Sequence, residues 1–305
     1  MDPLTAETTP GTLVSIARSS LTLHLLGAGG AFSRRYGTTC SMLVLPDGKR
    51  WLIDCGRQAP DQLHAAGFHW HDLEGQIITH VHGDHVFGLE DFAFVRFFES
   101  HGDARPTREG GASPKLIAHH AVLGEIWETL APSLRYMRAG DGSLTGGTLA
   151  TYFEVLAPVA AEPPRHGPWR HSEAFAAGQL RVVARETEHV PGKPACSLEI
   201  AATGDPGDDR IAFWSGDSVV DVARLEAIEP RTTVYFHDCT FIDYPGQVHG
   251  YFDLLESLSE PVRRKLVIMH HEDNIEENRA RVERAGLRVA LPGHVYDLGS
   301  GQRIA

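Results

Sequence analysis

The chain has 305 residues, 42% of them hydrophobic and 22% charged, the balance of a soluble globular protein rather than a disordered or membrane one. A formal net charge of −12 argues against a broad basic surface for a long nucleic acid, but a small anionic substrate needs only a few cations or a metal. Cys40, Cys55, Cys196 and Cys239 form no C-x-x-C pair, and residues 1–20 lack a basic region followed by an apolar one; reduced thiols, no membrane partner and a cytoplasmic location are expected.

Short apolar runs alternate with helical patterns along the chain. Residues 21–30 read as a strand ending in a glycine turn, and 40–56 as a hairpin turning at Pro46-Asp47-Gly48. A short buried strand is predicted at 75–80, a buried helix at 85–100, then strand 114–120 and helix 121–132. Stretches 101–113 and 139–180, rich in Gly, Pro and charge, read as loops with an inserted hairpin. Strands are predicted at 179–190, 196–203, 210–218 and 232–241, then a helix at 251–265 broken at Pro261. Strand 266–271, helix 274–286 and a terminal strand 287–298 complete the pattern. The expectation is one α/β domain over 1–305, a layered sandwich, with an insertion at about 101–175.

Histidine is abundant, at 18 residues, and it concentrates in "THVHGDHVFGLED", Thr79 to Asp91. His80 and His82 stand two apart at a strand end, so an extended backbone points both imidazoles the same way. Asp84 and His85 follow at the start of the next helical run and can face the same space. A core strand gains nothing from four crowded polar side chains, whereas imidazole with carboxylate suits zinc or another first-row cation.

T-H-x-H-x-D-H-x-x-G-L resembles the signature of the metallo-β-lactamase fold superfamily. The resemblance implies an αββα sandwich with a binuclear metal site at one edge. It also implies further site residues: Asp54 in "LIDCG" as a structural carboxylate, His189 in "ETEHVPG", Asp217 in "FWSGDS" as a bridge, and His270 or His271 in "LVIMHH" as the last ligand. His270 is preferred because it falls where the apolar run ends. On this pattern His80, His82 and His189 hold one ion, Asp84, His85 and His270 the other, and Asp217 bridges. Two divalent transition-metal ions are expected, zinc or alternatively manganese, which would activate water and polarise the target oxygen. Asp84 is also placed to orient the attacking nucleophile.

"VYFHDCTF" (234–241) resembles the H-E-A-T motif of ribonuclease Z, with Asp238 where that enzyme carries glutamate, and "GQVHGYFDLL" (246–255) puts His249 where its relatives have a proton-donating histidine. A carboxylate keeps such an imidazole charged, and phosphodiester cleavage needs an acid for the departing alkoxide. The interval from His189 to Asp217 leaves no room for a tRNA-gripping arm. The whole set is most similar to the ribonuclease Z-like cyclic-nucleotide phosphodiesterases, including the anti-Pycsar enzymes of phages and bacteria. That similarity implies hydrolysis of 3′,5′-cyclic nucleotides to monophosphates, a small phosphodiester as partner, no long nucleic acid, and a homodimer. Rival readings are a lactone or ester hydrolase, a ribonuclease Z-type endonuclease, and a metal-bound scaffold without turnover. His119 and His120 read as a plain strand end, and His64, His69 and His71 as solvated.

Overall fold

A computed structural model describes residues 20–98, 113–138, 142–162, 171–202 and 209–305. The first half runs β1 (Thr22–Gly27), β2 (Cys40–Val44), β3 (Arg50–Ile53), α1 (Ala59–Ala65), β4 (Gly75–Ile78), α2 (Gly83–Val86), α3 (Leu89–Phe98), β5 (Lys115–Ala118) and α4 (His120–Leu134). Short pieces follow: β6 (Tyr136–Arg138), β7 (Leu144–Gly146), α5 (Leu149–Tyr152), β8 (Glu154–Val155) and β9 (Ala160–Glu162). The second half runs β10 (Ser172–Ala177), β11 (Leu180–Glu186), β12 (Cys196–Ala202), β13 (Ile211–Trp214), α6 (Val222–Ile228), β14 (Thr232–Asp238), α7 (Phe252–Glu256) and α8 (Glu260–Lys265). It closes with β15 (Leu266–Met269), α9 (Ile275–Arg284), β16 (Arg288–Val289), β17 (Val295–Asp297) and β18 (Gln302–Arg303).

The strands make two large sheets in the order β18-β17-β1-β2-β3-β4-β5-β8 and β16-β15-β14-β13-β12-β11-β10-β9. Alternation along the second sheet shows how they pack. Ala212, Trp214, Val234, Phe236, Val267 and Met269 enter the core shared with the first sheet, while Ile211, Phe213, Tyr235, Leu266 and Ile268 face outward. The outward set is covered by Leu225, Leu255, Val262, Ile275 and Val282 of α6 to α9. Strands covered on both faces can be apolar at every position, which is why they read as continuous runs. The result is an αββα sandwich.

The parallel pairs β3-β4-β5 and β13-β14-β15 send their carboxyl ends to one edge of the sandwich. Ends of that kind are where α/β sheets present ligand-binding loops. Across this edge the sheets are stitched together: Cys196 N–H donates to the Thr79 carbonyl at 3.0 Å, beside a His80–Ala195 bridge.

Several boundaries differ from the sequence reading. The helix expected at 85–100 is two helices, because the chain must pass close to the end of β3. A Cβ at Gly88 would lie 2.5 Å from the Gly56 carbonyl oxygen, and one at Gly56 would lie 1.9 Å from that of Asp84. The break in 251–265 falls at 257–259, and Pro261 opens α8 rather than ending its predecessor, as its fixed φ suits the first helical turn. The expected terminal strand 287–298 is split between the sheets, β16 pairing with β15 and β17 with β1. Within 101–175, residues 101–112, 139–141 and 163–170 lie outside the described residues. The remainder contributes the β6–β7 hairpin together with α5 and β8 to β10, more regular structure than loops with one hairpin. All four cysteines are buried and free, and among the described residues no helix is long and apolar enough to cross a membrane.

Candidate metal centre

Four of the expected residues leave β4 in one short stretch, and three more arrive from β11, β13 and β15. His80 Nε2 stands 3.0 Å from His82 Nδ1, and His189 Nε2 stands 3.1 Å from the same atom. On the other side, His85 Nε2 and His270 Nε2 each lie 3.2 Å from Asp84 Oδ2. Asp217 lies between the two groups. Its Oδ1 is 3.2 Å from His85 Nε2, and its Oδ2 is 3.3 Å from His270 Nε2 and 3.7 Å from His80 Nε2. His80, His82, His189 and Asp217 could hold one cation, and Asp84, His85, Asp217 and His270 a second.

The outer nitrogens of these rings test whether a cation fits. Asp54 accepts from Thr79 N–H at 2.9 Å, from the Thr79 hydroxyl at 2.9 Å and from His85 Nδ1–H at 2.9 Å. With its hydroxyl proton committed to Asp54, Thr79 Oγ1 accepts from His80 Nδ1–H at 3.1 Å. His189 Nδ1–H donates to the Val248 carbonyl at 2.8 Å. His80 and His189 therefore carry their protons on the outer nitrogens and turn bare lone pairs inward, while His85 turns its Nε2 toward the carboxylates of Asp84 and Asp217. The His80 and His189 lone pairs converge on one nitrogen, His82 Nδ1, whose single proton can satisfy only one of them, whereas a cation among the three satisfies all. The donor set fits metal.

The protonation pattern supports the same division. Burial pushes His80 well down and His82 down to about 4, and it lowers His189 as well. On the carboxylate side burial also opposes charge, but Asp217 together with Asp84 and Asp54 at His85, and with Asp238 and Asp84 at His270, outweighs it and raises both well above the ordinary imidazole value. Asp84 and Asp217 are held well below the usual carboxylate range, with His85 and His270 overcoming the effect of burial.

His271 turns away, its Nε2 3.0 Å from the Ala290 carbonyl and its Nδ1 3.1 Å from that of Glu272, so His270 is the histidine that faces the cluster. His270 adopts φ 54° and Asp54 φ 58°, the non-glycine residues with positive φ among those described. Residues other than glycine reach that region only when their surroundings impose it, and both lie at this site.

Beside the cluster, His249 Nδ1 meets Asp238 Oδ2 at 2.7 Å, and its ring stacks on His270 with centroids 5.1 Å apart and planes 20° apart. Burial works against charge on His249, but the adjoining Asp238 carboxylate outweighs it and raises the imidazole; His249 reciprocally lowers Asp238. The close fit depends on Gly250, where a Cβ would lie 2.1 Å from the Asp238 carbonyl oxygen. The His249 side chain is 25% exposed while Asp238 is fully buried. A charged imidazole with a buried carboxylate behind it and an open front can donate a proton to a bound molecule.

The sequence motifs do not announce every participant. Thr79 relays Asp54 to His80, and the Val248 carbonyl, a backbone atom with no residue signature, orients His189. His64, His69 and His71 are exposed as expected, although His64 sits in α1. His119 and His120 are not a plain strand end: they meet His171 and Glu173.

Human tRNase Z, short form, superposes with a TM-score of 0.59 at 18% identity, over 91% of this chain and 99% of that one. The metallo-β-lactamase fold protein YhfI from Bacillus subtilis superposes with a TM-score of 0.65 at 16% identity, over 91% and 99%. These likenesses establish the metallo-β-lactamase fold. Among curated proteins, the anti-Pycsar protein Apyc1 of Bacillus phage 010DV004 is 31% identical over 284 residues, covering 92% of this chain and all of that protein. Its namesake in Paenibacillus sp. (strain J14) is 31% identical over 262 residues, covering 85% and 93%. The family model for the anti-Pycsar protein Apyc1 matches residues 21–296, and the chain belongs to that family.

Proposed function

We propose that the protein is a binuclear phosphodiesterase that hydrolyses 3′,5′-cyclic nucleotides to nucleoside monophosphates. The observation that carries this reading is the His249–Asp238 pair at 2.7 Å, set 3.9 Å from Asp217 at the edge of the cluster. Ester, lactone and β-lactam hydrolysis have less need of a carboxylate-charged imidazole beside the metal ligands. A ribose 3′-oxygen leaving phosphorus is a poor leaving group and needs a proton.

His80, His82, His189 and Asp217 would hold one ion, and Asp84, His85, His270 and Asp217 the other. Bound there, two zinc-class cations would supply Lewis-acid stabilisation of the charge on the phosphoryl oxygens and acidify water. Water gives one proton to solvent, and Asp84 accepts a hydrogen bond from the resulting hydroxide and aims its oxygen at phosphorus, to which it forms the new P–O bond. As the P–O3′ bond breaks, its electron pair goes to O3′, and His249 donates the Nε2 proton to that oxygen. The ring keeps its Nδ1 proton, which it donates to the Asp238 carboxylate, and that bond holds it oriented. The interval between His189 and Asp217 is occupied by β12 and β13, which favours a small diester over tRNA.

A homodimer and a cytoplasmic location belong to the same reading. Metal-loaded protein assayed on cyclic mononucleotides, a lactone and a β-lactam tests it. Monophosphate from the cyclic nucleotides alone is expected, and turnover confined to the lactone would overturn it. Light scattering tests the dimer: a fully active monomer would contradict it.

A further inference from the structure

A second group of potential ligands shares no residue with the cluster. His119 and His120 join β5 of one sheet to α4, while His171 and Glu173 begin β10 of the other. His119 Nε2 lies 2.9 Å from His171 Nδ1, and His120 Nδ1 lies 2.8 Å from Glu173 Oε1. One ligand atom from each residue falls within 4.8 Å of all the others. His119 is fully buried and Glu173 only 5% exposed.

The supporting bonds hold the group in place. His120 N–H donates to Glu173 Oε2 at 2.9 Å, and His171 N–H donates to Glu186 Oε2 at 2.8 Å. Three imidazoles and one carboxylate match the donor chemistry of a four-coordinate zinc site. Metal–ligand bonds of about 2.05 Å give a tetrahedron with edges of roughly 3.3 Å, so the close pairs need to open by only about 0.4–0.5 Å. Ring nitrogens 3.0 and 3.1 Å apart also mark the cluster described above.

A hydrogen-bonded arrangement competes. Ala121 N–H reaches His119 Nδ1 at 3.3 Å, which puts the ring proton on Nε2, facing His171. Ligation through Nε2 moves that proton to Nδ1 and gives up the Ala121 bond. That bond is long, and an N–H in a helix's first turn has no intrahelical partner and can turn to water instead. One long bond is a small loss against four ligand bonds to a cation.

We propose that His119, His120, His171 and Glu173 bind a divalent cation of the zinc class, which clamps the β5–α4 corner of one sheet to the start of β10 in the other. With four protein ligands the site is closed, so the ion is structural rather than catalytic. The proposal stands apart from the phosphodiesterase reading and survives if that reading fails.

Its test uses the full chain carrying His82→Ala and Asp217→Ala, which disable the main cluster. After chelator stripping, this protein is titrated with Co2+, read by visible absorption, and with Zn2+, read by calorimetry. One equivalent is expected to bind, raising the melting temperature. Adding His120→Asn or Glu173→Gln should weaken binding by more than the ~10–100-fold typical of losing an outer partner, and should abolish the thermal shift. No binding by the parent, or equal binding after both added changes, overturns the proposal. If the parent does not fold, zinc per chain is compared between the unaltered protein and His120→Asn, whose side chain is 62% exposed and tolerates replacement. One equivalent fewer is expected, and equal contents would overturn the site.

Discussion

Asp238 is shared between two histidines. Its Oδ2 is 2.7 Å from His249 Nδ1 and its Oδ1 is 3.4 Å from His270 Nδ1. One buried carboxylate thus hydrogen-bonds the proposed acid and stands within ion-pair distance of a proposed metal ligand. Asp238→Asn should lower turnover and also weaken metal binding, by about 10–100-fold, because His270 loses its outer partner. Chelator competition on the purified variant measures this. Unchanged affinity with reduced turnover would confine Asp238 to the His249 side.

The same pair predicts a pH profile. His249 acts as an acid only while protonated, so the rate falls on the alkaline side as pH rises through its raised pKa. Asp238→Asn removes the main raising influence and leaves burial, which lowers the imidazole. The alkaline limb should therefore move to lower pH in kcat against pH. A limb that stays in place would assign it to another group.

Asp54 holds the centre from behind through Thr79 and His85. Asparagine tolerates the positive φ of this position, so Asp54→Asn removes charge with little backbone disturbance. Metal affinity should fall by about 10–100-fold. A calorimetric titration giving native affinity would reduce Asp54 to a fold-stabilising role.

Gly250→Ala would place a methyl group 2.1 Å from the Asp238 carbonyl oxygen, a backbone atom that cannot swing aside. The chain must shift at His249, and misplacement of about 1 Å can cost on the order of 100-fold in rate. Turnover should drop while the metal content stays near native, and the melting temperature should fall modestly as the strained loop shifts. Native turnover would show that the loop absorbs the methyl group without moving the acid.

Most of the site could be read from sequence because its residues sit at ends of apolar runs: His80 after β4, Asp217 after β13, His270 after β15. Each proposed ligand changes the local composition abruptly, and the H-x-H-x-D-H spacing is contiguous. The choice of His270 over His271 followed from where the strand ends, and the side-chain directions agree with it. Region 139–180 was opaque for the opposite reason. Strands of two or three residues such as β8 and β9 show no period, and β10 opens with buried Ser172 and Glu173 where alternation would predict apolar residues. The partnership of Glu173 with His120 spans 53 residues, so no local pattern could reveal it. Pro261 misled because proline both ends helices and begins them.

The most direct test of the account compares His249→Ala with the unaltered protein on two substrates, a 3′,5′-cyclic nucleotide and bis-p-nitrophenyl phosphate, at equal metal content. Loss of a general acid should slow the cyclic nucleotide by about 10²–10⁴-fold, since its alkoxide cannot leave unprotonated. The aryl diester should lose far less, because p-nitrophenolate departs without a proton. Equal losses on the two substrates would contradict the account, leaving His249 to position the phosphate or the metals instead.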